Sequence, residues 1–304
     1  MRRDSVQFSR AAPVFPTIPE IVVSETQTEN PEPFMRSPSV RLSVLTFAVL
    51  TAATTAGAQS DRAARFMNNC DRGHDDTERF CETRSVTVGA SRALTVDGRT
   101  NSGISVHGWD RNEIQVLAMI QTNANSEAEA RDLARGINIQ TNGGQIRADG
   151  PSTGRRESWS VSYDIYVPRQ TDLTLTANNG GVSIESVTSR ISAETENGGL
   201  SLNDVSGDVR GRTVNGGINA ELTGDRWIGS GLDLRTSNGG VRLTIPSNYS
   251  ANLETGTVNG SVNVDFPVTI QGRFGKEFNT TLGAGGATVR ATTTNGGVTI
   301  RRGR

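Results

Sequence analysis

The side chains best suited to catalysis or metal binding are two histidines, two cysteines and a small set of carboxylates. The histidines are His74 and His107, and a Ser-His-Asp triad would need one of them beside an activated serine. The sequence contains no Gly-x-Ser-x-Gly elbow, no Walker or Rossmann motif and no His-Glu-x-x-His pair. We therefore predict that the protein is not an enzyme and holds neither a cofactor nor a metal ion.

The two cysteines, Cys70 and Cys81, flank His74. In an exported protein such a pair is typical of one disulfide bond. A metal site is the alternative, but these three candidate ligands have a spacing that matches no zinc pattern. We predict the disulfide.

Clustered carboxylates leave one enzymatic alternative, a polysaccharide lyase or hydrolase built on a β-helix. Such a site needs two carboxylates close together on one face. The candidates are Glu194, Glu196, Asp204 and Asp208. Eighteen positions after Glu194 and Glu196 stand Arg212 and Val214, so the carboxylates do not continue into the next repeat. A solvated strand face with scattered charge is the interpretation we favour.

A repeated tripeptide must position all of these side chains. Identical Asn-Gly-Gly copies begin at Asn179, Asn197, Asn215, Asn238 and Asn295, and Asn259-Gly260-Ser261 is a near copy. The first three copies are eighteen residues apart, and the apolar residues between them alternate with the period of a β-strand. A fixed period of this length is typical of a solenoid. We predict an all-β fold, a parallel β-helix or β-solenoid, with a series of antiparallel hairpins as the alternative.

Glycine and asparagine suit the turns of such a solenoid. Glycine adopts positive φ without a steric clash, and asparagine tolerates the left-handed region. Stacked asparagines can also form a hydrogen-bonded ladder along the axis. The predicted turn positions are Asn179, Gly180, Gly181, Asn197, Gly198, Gly199, Asn215, Gly216, Gly217, Asn238, Gly239, Gly240, Asn259, Gly260, Asn295, Gly296 and Gly297.

The N-terminal region predicts export. Residues 1–34 are polar and proline-rich, typical of a disordered segment or of a start codon assigned too early. Residues 35–58 have two arginines, a short apolar run and an Ala-Gly-Ala sequence, typical of a signal peptide cleaved between Ala58 and Gln59. The run is too short for a membrane span, and a buried apolar helix is the alternative. We predict a mature chain without a membrane span, in the periplasm, outside the cell or at the envelope.

The remaining sequence divides into three parts. Residues 59–84 form a lead-in that carries the disulfide. Residues 85–176 are β-rich, either the first part of the solenoid or a small capping sandwich, with one helix between Ser126 and Gly136 that begins in a capping box. Residues 177–304 form the Asn-Gly-Gly solenoid, with a loop at 272–286 that leaves and rejoins it before residues 289–300 rebuild the last coil.

Several of these segments together resemble the bacterial “putative adhesin” family, a domain of unknown function. They are Trp159–Pro168, the Asn-Gly-Gly turns, Gly272–Lys276, the glycine-rich residues 283–286 and Thr294–Ile300. The resemblance covers roughly Val86–Arg301, and the lead-in with the two cysteines departs from it. It implies a β-solenoid domain on exported or envelope-linked proteins, and it brings no catalytic motif.

Composition and charge agree with a binding or structural protein. The net charge of −1 provides no field for nucleic acid, and three Trp and three Tyr offer few surfaces for base stacking. We predict an exported, non-enzymatic adhesin-like protein whose strand faces bind an envelope or surface ligand, a glycan or a protein. An inert structural or stress-related envelope protein is the alternative. Outward contact residues predicted from the alternation are Ser183, Glu185, Ser192, Glu194, Ser201 and Asn203.

Overall fold

A computed structural model describes residues 51–70, 77–99, 101–267 and 275–303, with side chains from residue 59 onward. The predicted disordered segment 1–34 and most of the predicted signal peptide lie outside these residues. The described residues form twenty strands and two helices. In chain order they are α1 (Thr51–Asn68), β1 (Glu78–Gly89), β2 (Ala93–Asp97), β3 (Ile104–Trp109), β4 (Glu113–Ala124), α2 (Glu127–Arg135), β5 (Asn138–Gln140), β6 (Gln145–Asp149), β7 (Ser158–Pro168), β8 (Asp172–Ala177), β9 (Val182–Glu185), β10 (Thr188–Thr195), β11 (Leu200–Asn203), β12 (Ser206–Asn215), β13 (Ile218–Glu221), β14 (Gly231–Asn238), β15 (Val241–Ile245), β16 (Ala251–Asn259), β17 (Val262–Val264), β18 (Glu277–Leu282), β19 (Thr288–Asn295) and β20 (Val298–Arg302).

The strands form two ten-stranded sheets that enclose one core. Sheet A has the order β1-β4-β7-β3-β9-β11-β13-β15-β20-β17, and sheet B has the order β18-β16-β19-β14-β12-β10-β8-β2-β6-β5. In the repeat region each coil adds one strand to each sheet, and the coils pair in parallel. The predicted all-β solenoid is confirmed, and the alternative of antiparallel hairpins is wrong for the repeats.

The register follows the eighteen-residue period where that period holds. Leu200 lies between Val182 and Ile218 in sheet A, and all three side chains are buried. Successive strand residues point to opposite faces, so apolar positions enter the core and polar positions reach the solvent. Alternating burial along β10, β11 and β12 shows this pattern directly.

The N-terminal strands continue the same two sheets. In sheet A, β1, β4 and β7 pair antiparallel, and β7 then pairs in parallel with β3, which leads into the coils. In sheet B, β2 pairs in parallel with β8. Helix α2 begins at Ser126, whose hydroxyl oxygen accepts a hydrogen bond from the backbone N–H of Glu129 at 3.3 Å. The shared sheets favour an N-terminal part of the solenoid over a separate sandwich.

The C-terminal coils are stacked in a different order from their order in the sequence. Strands β19 and β20 lie between the coil of β14–β15 and the coil of β16–β17. Residues 289–300 do form the last coil in the sequence, as expected, but this coil does not lie at the end of the stack. Part of the predicted loop at 272–286 is strand β18, which pairs antiparallel with β16, while residues 268–274 lie outside the described residues.

Helix α1 was not predicted as a helix, and it runs without interruption through the predicted cleavage site at Ala58 and Gln59. Just after it, Cys70 bonds to Cys81 of β1, which confirms the predicted disulfide. No helix in the described part of the chain has the length and hydropathy that a membrane crossing requires.

Candidate functional site

A ladder of asparagine side chains runs along one edge of the solenoid. In each step the side-chain amide N–H₂ of one coil donates to the side-chain oxygen of a neighbouring coil, at 2.8–3.2 Å. In spatial order the members are Asn101, Asn179, Asn197, Asn215, Asn238, Asn295 and Asn259. The ladder fixes the register of each coil against the next.

A second, buried ladder lies two residues earlier in each coil. The hydroxyl of Thr213 donates to the carbonyl oxygen of Gly198 at 2.8 Å, and the equivalent threonines make the same bond. They are Thr195, Thr236, Thr257 and Thr293. Because these hydroxyls are buried, each bond satisfies a polar group that would otherwise be costly.

The turn glycines are required for a reason other than the one expected. Among the predicted turn glycines, all of which are described, only Gly296 has positive φ, at 148°, and none of the turn asparagines does. Instead, the first glycine of each turn touches the neighbouring coil. A β-carbon on Gly198 would lie 2.1 Å from the carbonyl oxygen of Gly180. The expectation of left-handed turn residues is wrong for the rest, and close backbone packing explains the glycines.

Sequence reasoning missed the first member of the ladder. Asn101 stands in the sequence Asn-Ser-Gly, and a β-carbon on Gly180 would lie 1.9 Å from the carbonyl oxygen of Ser102. The signal was present, because Ile104 and Val106 follow this turn with the same alternation as in later repeats. The long insertion between the turn at Asn101 and the turn at Asn179 hides the eighteen-residue period.

The outer face of sheet B carries a groove of about 630 Å³. It follows one row of register partners across six neighbouring strands. In spatial order the row is Glu194, Arg212, Arg235, Thr292, Gly256 and Glu277. Gly256 has no side chain, so the Glu277 side chain lies across it and closes that end of the groove. We call this feature the sheet B groove.

The charges in the sheet B groove are only partly compensated. Arg235 forms an ion pair with Asp233 at 2.8 Å, and this hydrogen-bonded carboxylate raises the pKa of Arg235. Arg212 lies beside Arg235 in register, and its side chain makes no hydrogen bond or ion pair with any described residue. Like charges directly opposite one another on neighbouring strands destabilise a sheet. Arg212 is therefore available to an incoming polar or anionic group.

Two exposed valines flank the same groove. Val214 and Val258 are 44% and 55% exposed, although most valines of the described strands are buried. Both line the groove, with Ser237 and Thr294 between them on the intervening strands. Exposed apolar groups rimmed by polar side chains are a feature of interaction sites.

The carboxylates considered for glycan cleavage do not come together. Glu194 lies in the sheet B groove beside Arg212. Asp204 lies at a bend between the sheets, where its carboxylate accepts hydrogen bonds from the hydroxyls of Ser186 and Thr223 at 2.9 and 2.6 Å. Asp208 pairs with Arg210 at 3.5 Å. The structure brings Glu194 to a concave surface, but it holds Asp204 and Asp208 elsewhere with partners of their own.

His107 lies in a separate polar cluster on sheet A. Its ring nitrogens are 3.0 Å from Asp164 and 3.2 Å from Glu185, and its ring stacks on Tyr166. Asp164 is 1% exposed and also pairs with Arg62 of α1 at 3.2 Å. Burial raises the pKa of the Tyr166 hydroxyl. This cluster fastens α1 to sheet A.

Within the described residues, the His107 cluster has neither the serine contact of a Ser-His-Asp triad nor a group of side chains suited to hold a metal ion. No hydrogen bond joins His107 to a serine hydroxyl in the part of the chain that the structure describes. No group of three or more His, Cys, Asp and Glu side chains that could hold a metal ion occurs among the described residues. His74 lies outside them.

The outward residues predicted to make contacts are divided between the two faces. Ser192 and Glu194 lie on sheet B. The other four lie on sheet A: Ser183, Glu185, Ser201 and Asn203. The two sets therefore belong to separate surfaces, and of the six only Glu194 lines the sheet B groove.

The parallel coils, the asparagine ladder and the grooved outer face define a β-solenoid protein. The profile of the Toastrack DUF4097 family matches residues 89–301, and the chain belongs to this family. This match confirms the family resemblance identified from the sequence. None of the curated proteins matches the chain.

Solved structures similar to the chain come from several bacteria. A “putative cell adhesion protein” from Clostridium sporogenes has 10% identity and a TM-score of 0.41, with 74% of this chain and 100% of that chain covered. A “putative adhesin” from Bacteroides fragilis has 10% identity and a TM-score of 0.33, with 73% of this chain and 97% of that chain covered. A “putative lipid binding protein” from Parabacteroides distasonis has 10% identity and a TM-score of 0.23, covering 74% and 97%.

Proposed function

We propose that the protein is an exported, non-enzymatic, adhesin-like protein whose sheet B groove binds an extended glycan at the cell envelope. The observation that carries this proposal is Arg212, whose side chain has no ion pair among the described residues, in a groove flanked by the exposed Val214 and Val258. A ligand covers all three side chains at once only if it extends across several coils.

The periodicity of the sheet suits a ligand that is itself a repeating chain. Neighbouring strands lie about 4.8 Å apart, so the groove presents a new set of side chains at each such step. Hydroxyls of Ser237 and Thr294 and the carboxylate of Glu194 can hydrogen-bond to sugar hydroxyls. The valines contact the apolar faces of sugar rings, and Arg212 suits a carboxylate because its guanidinium presents a planar pair of donors.

Two features support placing this activity outside the cytoplasm. A disulfide between Cys70 and Cys81 is typical of proteins that fold in an oxidising compartment. Residues 35–58 have the composition of a secretory signal. Fractionating the native bacterium and measuring the intact mass of the protein in each fraction tests its export directly. A species beginning near Gln59 in the periplasm, the envelope or the medium supports export, and a cytosolic chain that retains Met1 contradicts it.

Binding is tested by retention of the purified protein on isolated cell envelope and on its purified polysaccharides. We expect retention that is lost when Arg212 is changed to Glu. The matched control is Arg242→Glu, an exposed arginine on the opposite face of the solenoid, in sheet A. Retention on the envelope but not on its purified polysaccharides would point to a protein ligand. Retention on neither material would favour the inert structural alternative.

A further inference from the structure

The C-terminal coil occupies a slot between two coils that precede it in the sequence. Strand β19 lies between β14 and β16 in sheet B, and β20 lies between β15 and β17 in sheet A. Both neighbours pair with it in parallel and in register. The last segment of the chain therefore lies between two walls that both precede it in the sequence.

The C-terminal coil is held by the general contacts of the repeat and by a few contacts of its own, such as the ion pair of Arg290 with Glu254. Asn295 donates to Asn238 at 2.8 Å and accepts from Asn259 at 2.8 Å. The hydroxyl of Thr293 donates to the carbonyl oxygen of Gly239, also at 2.8 Å. An identical coil supplied by another molecule would make the same bonds.

The two walls of the slot also resemble one another. Strands β14 and β16 both end in Thr-x-Asn, with Thr236 and Thr257 buried and Asn238 and Asn259 in the ladder. The β16 wall adds the ion pair of Glu254 with Arg290 and a hydrogen bond from the Thr255 hydroxyl to the carbonyl oxygen of Ala291, and a coil from a second copy of the chain would make both. The walls specify a coil of this type, and they do not specify that it belongs to the same chain.

A glycine-rich hinge connects the coil to the rest of the protein. Residues 283–287, Gly-Ala-Gly-Gly-Ala, join β18 to β19 and pass around the start of β16. Three of these glycines have positive φ, at 52°, 76° and 134°. The hinge is hydrogen-bonded to β16 through Asn252, whose backbone N–H donates to Ala287 and whose side-chain amide donates to Gly286, and to Ser250, whose hydroxyl oxygen accepts from the backbone N–H of Ala284. Glycine adopts many backbone conformations at a low energetic cost, so the hinge can straighten.

We propose that two copies of this chain exchange their C-terminal coils, β19–β20, to form a domain-swapped dimer. Every strand pairing of the coil is remade with the partner, so only the hinge conformation and the chain concentration distinguish monomer from dimer. Thr292 and Thr294 of β19 line the sheet B groove, so each groove of the dimer combines side chains from both chains. The dimer presents two grooves to a repeating surface.

The exchange is tested by linking register partners across the edge of the slot. In the double variant Arg242→Cys, Thr299→Cys, the two thiols face each other on β15 and β20. A short bis-maleimide then joins them within one chain in the monomer and between chains in the swapped dimer. The control is Asn219→Cys, Arg242→Cys, on β13 and β15, which stay together in either state.

Both variants are unfolded, refolded over a series of protein concentrations, crosslinked and separated on a denaturing gel with reductant, which breaks any disulfide and leaves the maleimide thioethers intact. We expect a dimer band that rises at least fivefold across the series for the first pair and only monomer for the control. Intrachain product at every concentration for the first pair would overturn the proposal.

Shortening the hinge gives a second, independent measurement. Deleting Ala284–Gly286 leaves three Cα–Cα links, about 11 Å at full extension, for two strand spacings of about 10 Å. This leaves no length for the chain to pass around the start of β16, so we expect the coil to be unable to enter its own slot. We expect this variant to be a dimer by light scattering, with interchain crosslinks throughout. A folded monomer with intrachain crosslinks would contradict the exchange. If the shortened chain does not fold, the concentration series decides alone.

Discussion

The carbonyl oxygen of Gly198 lies 2.0 Å from the point that a β-carbon on Gly216 would occupy. The same close approach recurs between the first glycines of successive turns, from Gly180 to Gly260. Coils of this solenoid therefore pack backbone against backbone at the turn, and the Asn and Thr ladders run beside that contact.

The two glycines of one turn should respond very differently to a methyl group. Gly216→Ala forces the coils apart, and we expect it to lower the free energy of unfolding by about 2–4 kcal/mol. Gly217→Ala is the control, because its β-carbon would lie 3.5 Å from the nearest atom, the carbonyl oxygen of Gly240. Urea denaturation measures both, and equal midpoints would show that the turn contact does not limit the stacking.

The buried threonine ladder should be measurable at a single rung. Thr213→Val keeps the shape of the side chain but removes the hydroxyl that Gly198 accepts from, and we expect a loss of about 1–3 kcal/mol. Thr174→Val, at an exposed position of β8, should change stability by less than about 0.5 kcal/mol. Urea denaturation compares the two variants, and an effect no larger at Thr213 than at Thr174 would be evidence against the ladder as a stabilising element.

The disulfide should hold α1 in place more than it holds the sheets. Cys70 follows α1 directly and is bonded to Cys81 of β1. In the variant Cys70→Ser, Cys81→Ser we expect amide hydrogen exchange to accelerate at residues 59–68, with β10 and β12 unchanged. Exchange followed by mass spectrometry measures this. Uniform acceleration in all segments would mean that the bond stabilises the whole fold.

Alkaline pH should destabilise the protein through its buried tyrosines. Burial raises the pKa of Tyr249 from 10.0 to about 12. The folded state therefore keeps a proton that the unfolded chain loses above pH 10, so this contribution is complete below pH 10 and is lost as the pH rises to 12. In Tyr249→Phe we expect a shallower fall of the urea midpoint between pH 10 and 12. An unchanged slope would mean that Tyr249 does not carry the effect, leaving Tyr163, whose pKa burial also raises.

The sequence predicted the local repeat well because one period determines both pairing and burial. The eighteen-residue step places Arg212 beside Glu194, and the structure has that pair in register. Alternation likewise predicted the burial of Val182 and Leu200. These properties depend on neighbouring coils, and the sequence contains that information within each repeat.

The order of the coils could not be predicted in the same way. Asn238, Asn295 and Asn259 stand in equivalent turns, and any of them fits next to any other. The structure places Asn295 in the middle because β18 pairs with the far side of β16 and returns the chain toward β14. That choice depends on the hinge between β18 and β19, whose path the repeat pattern does not determine.

The sheet B groove escaped prediction for the same reason. Val214 and Val258 each stand just before a ladder asparagine, so the repeat places them in one row, but which coils lie between them depends on the coil order. Alternation alone predicted that Glu194 points outward, but it did not show which outward residues share a concave surface. Helix α1 was missed because its polar sequence after residue 58 has no strong apolar face and follows a segment typical of a signal peptide.

The most direct test of the proposed function is a binding isotherm of the purified protein on envelope polysaccharide, with Arg212→Glu and Arg242→Glu compared under one salt condition. We expect Arg212→Glu to weaken binding at least tenfold, which corresponds to about 1.4 kcal/mol, and Arg242→Glu to change it by less than twofold. Equal affinities for the two variants would contradict the assignment of the sheet B groove as the binding site.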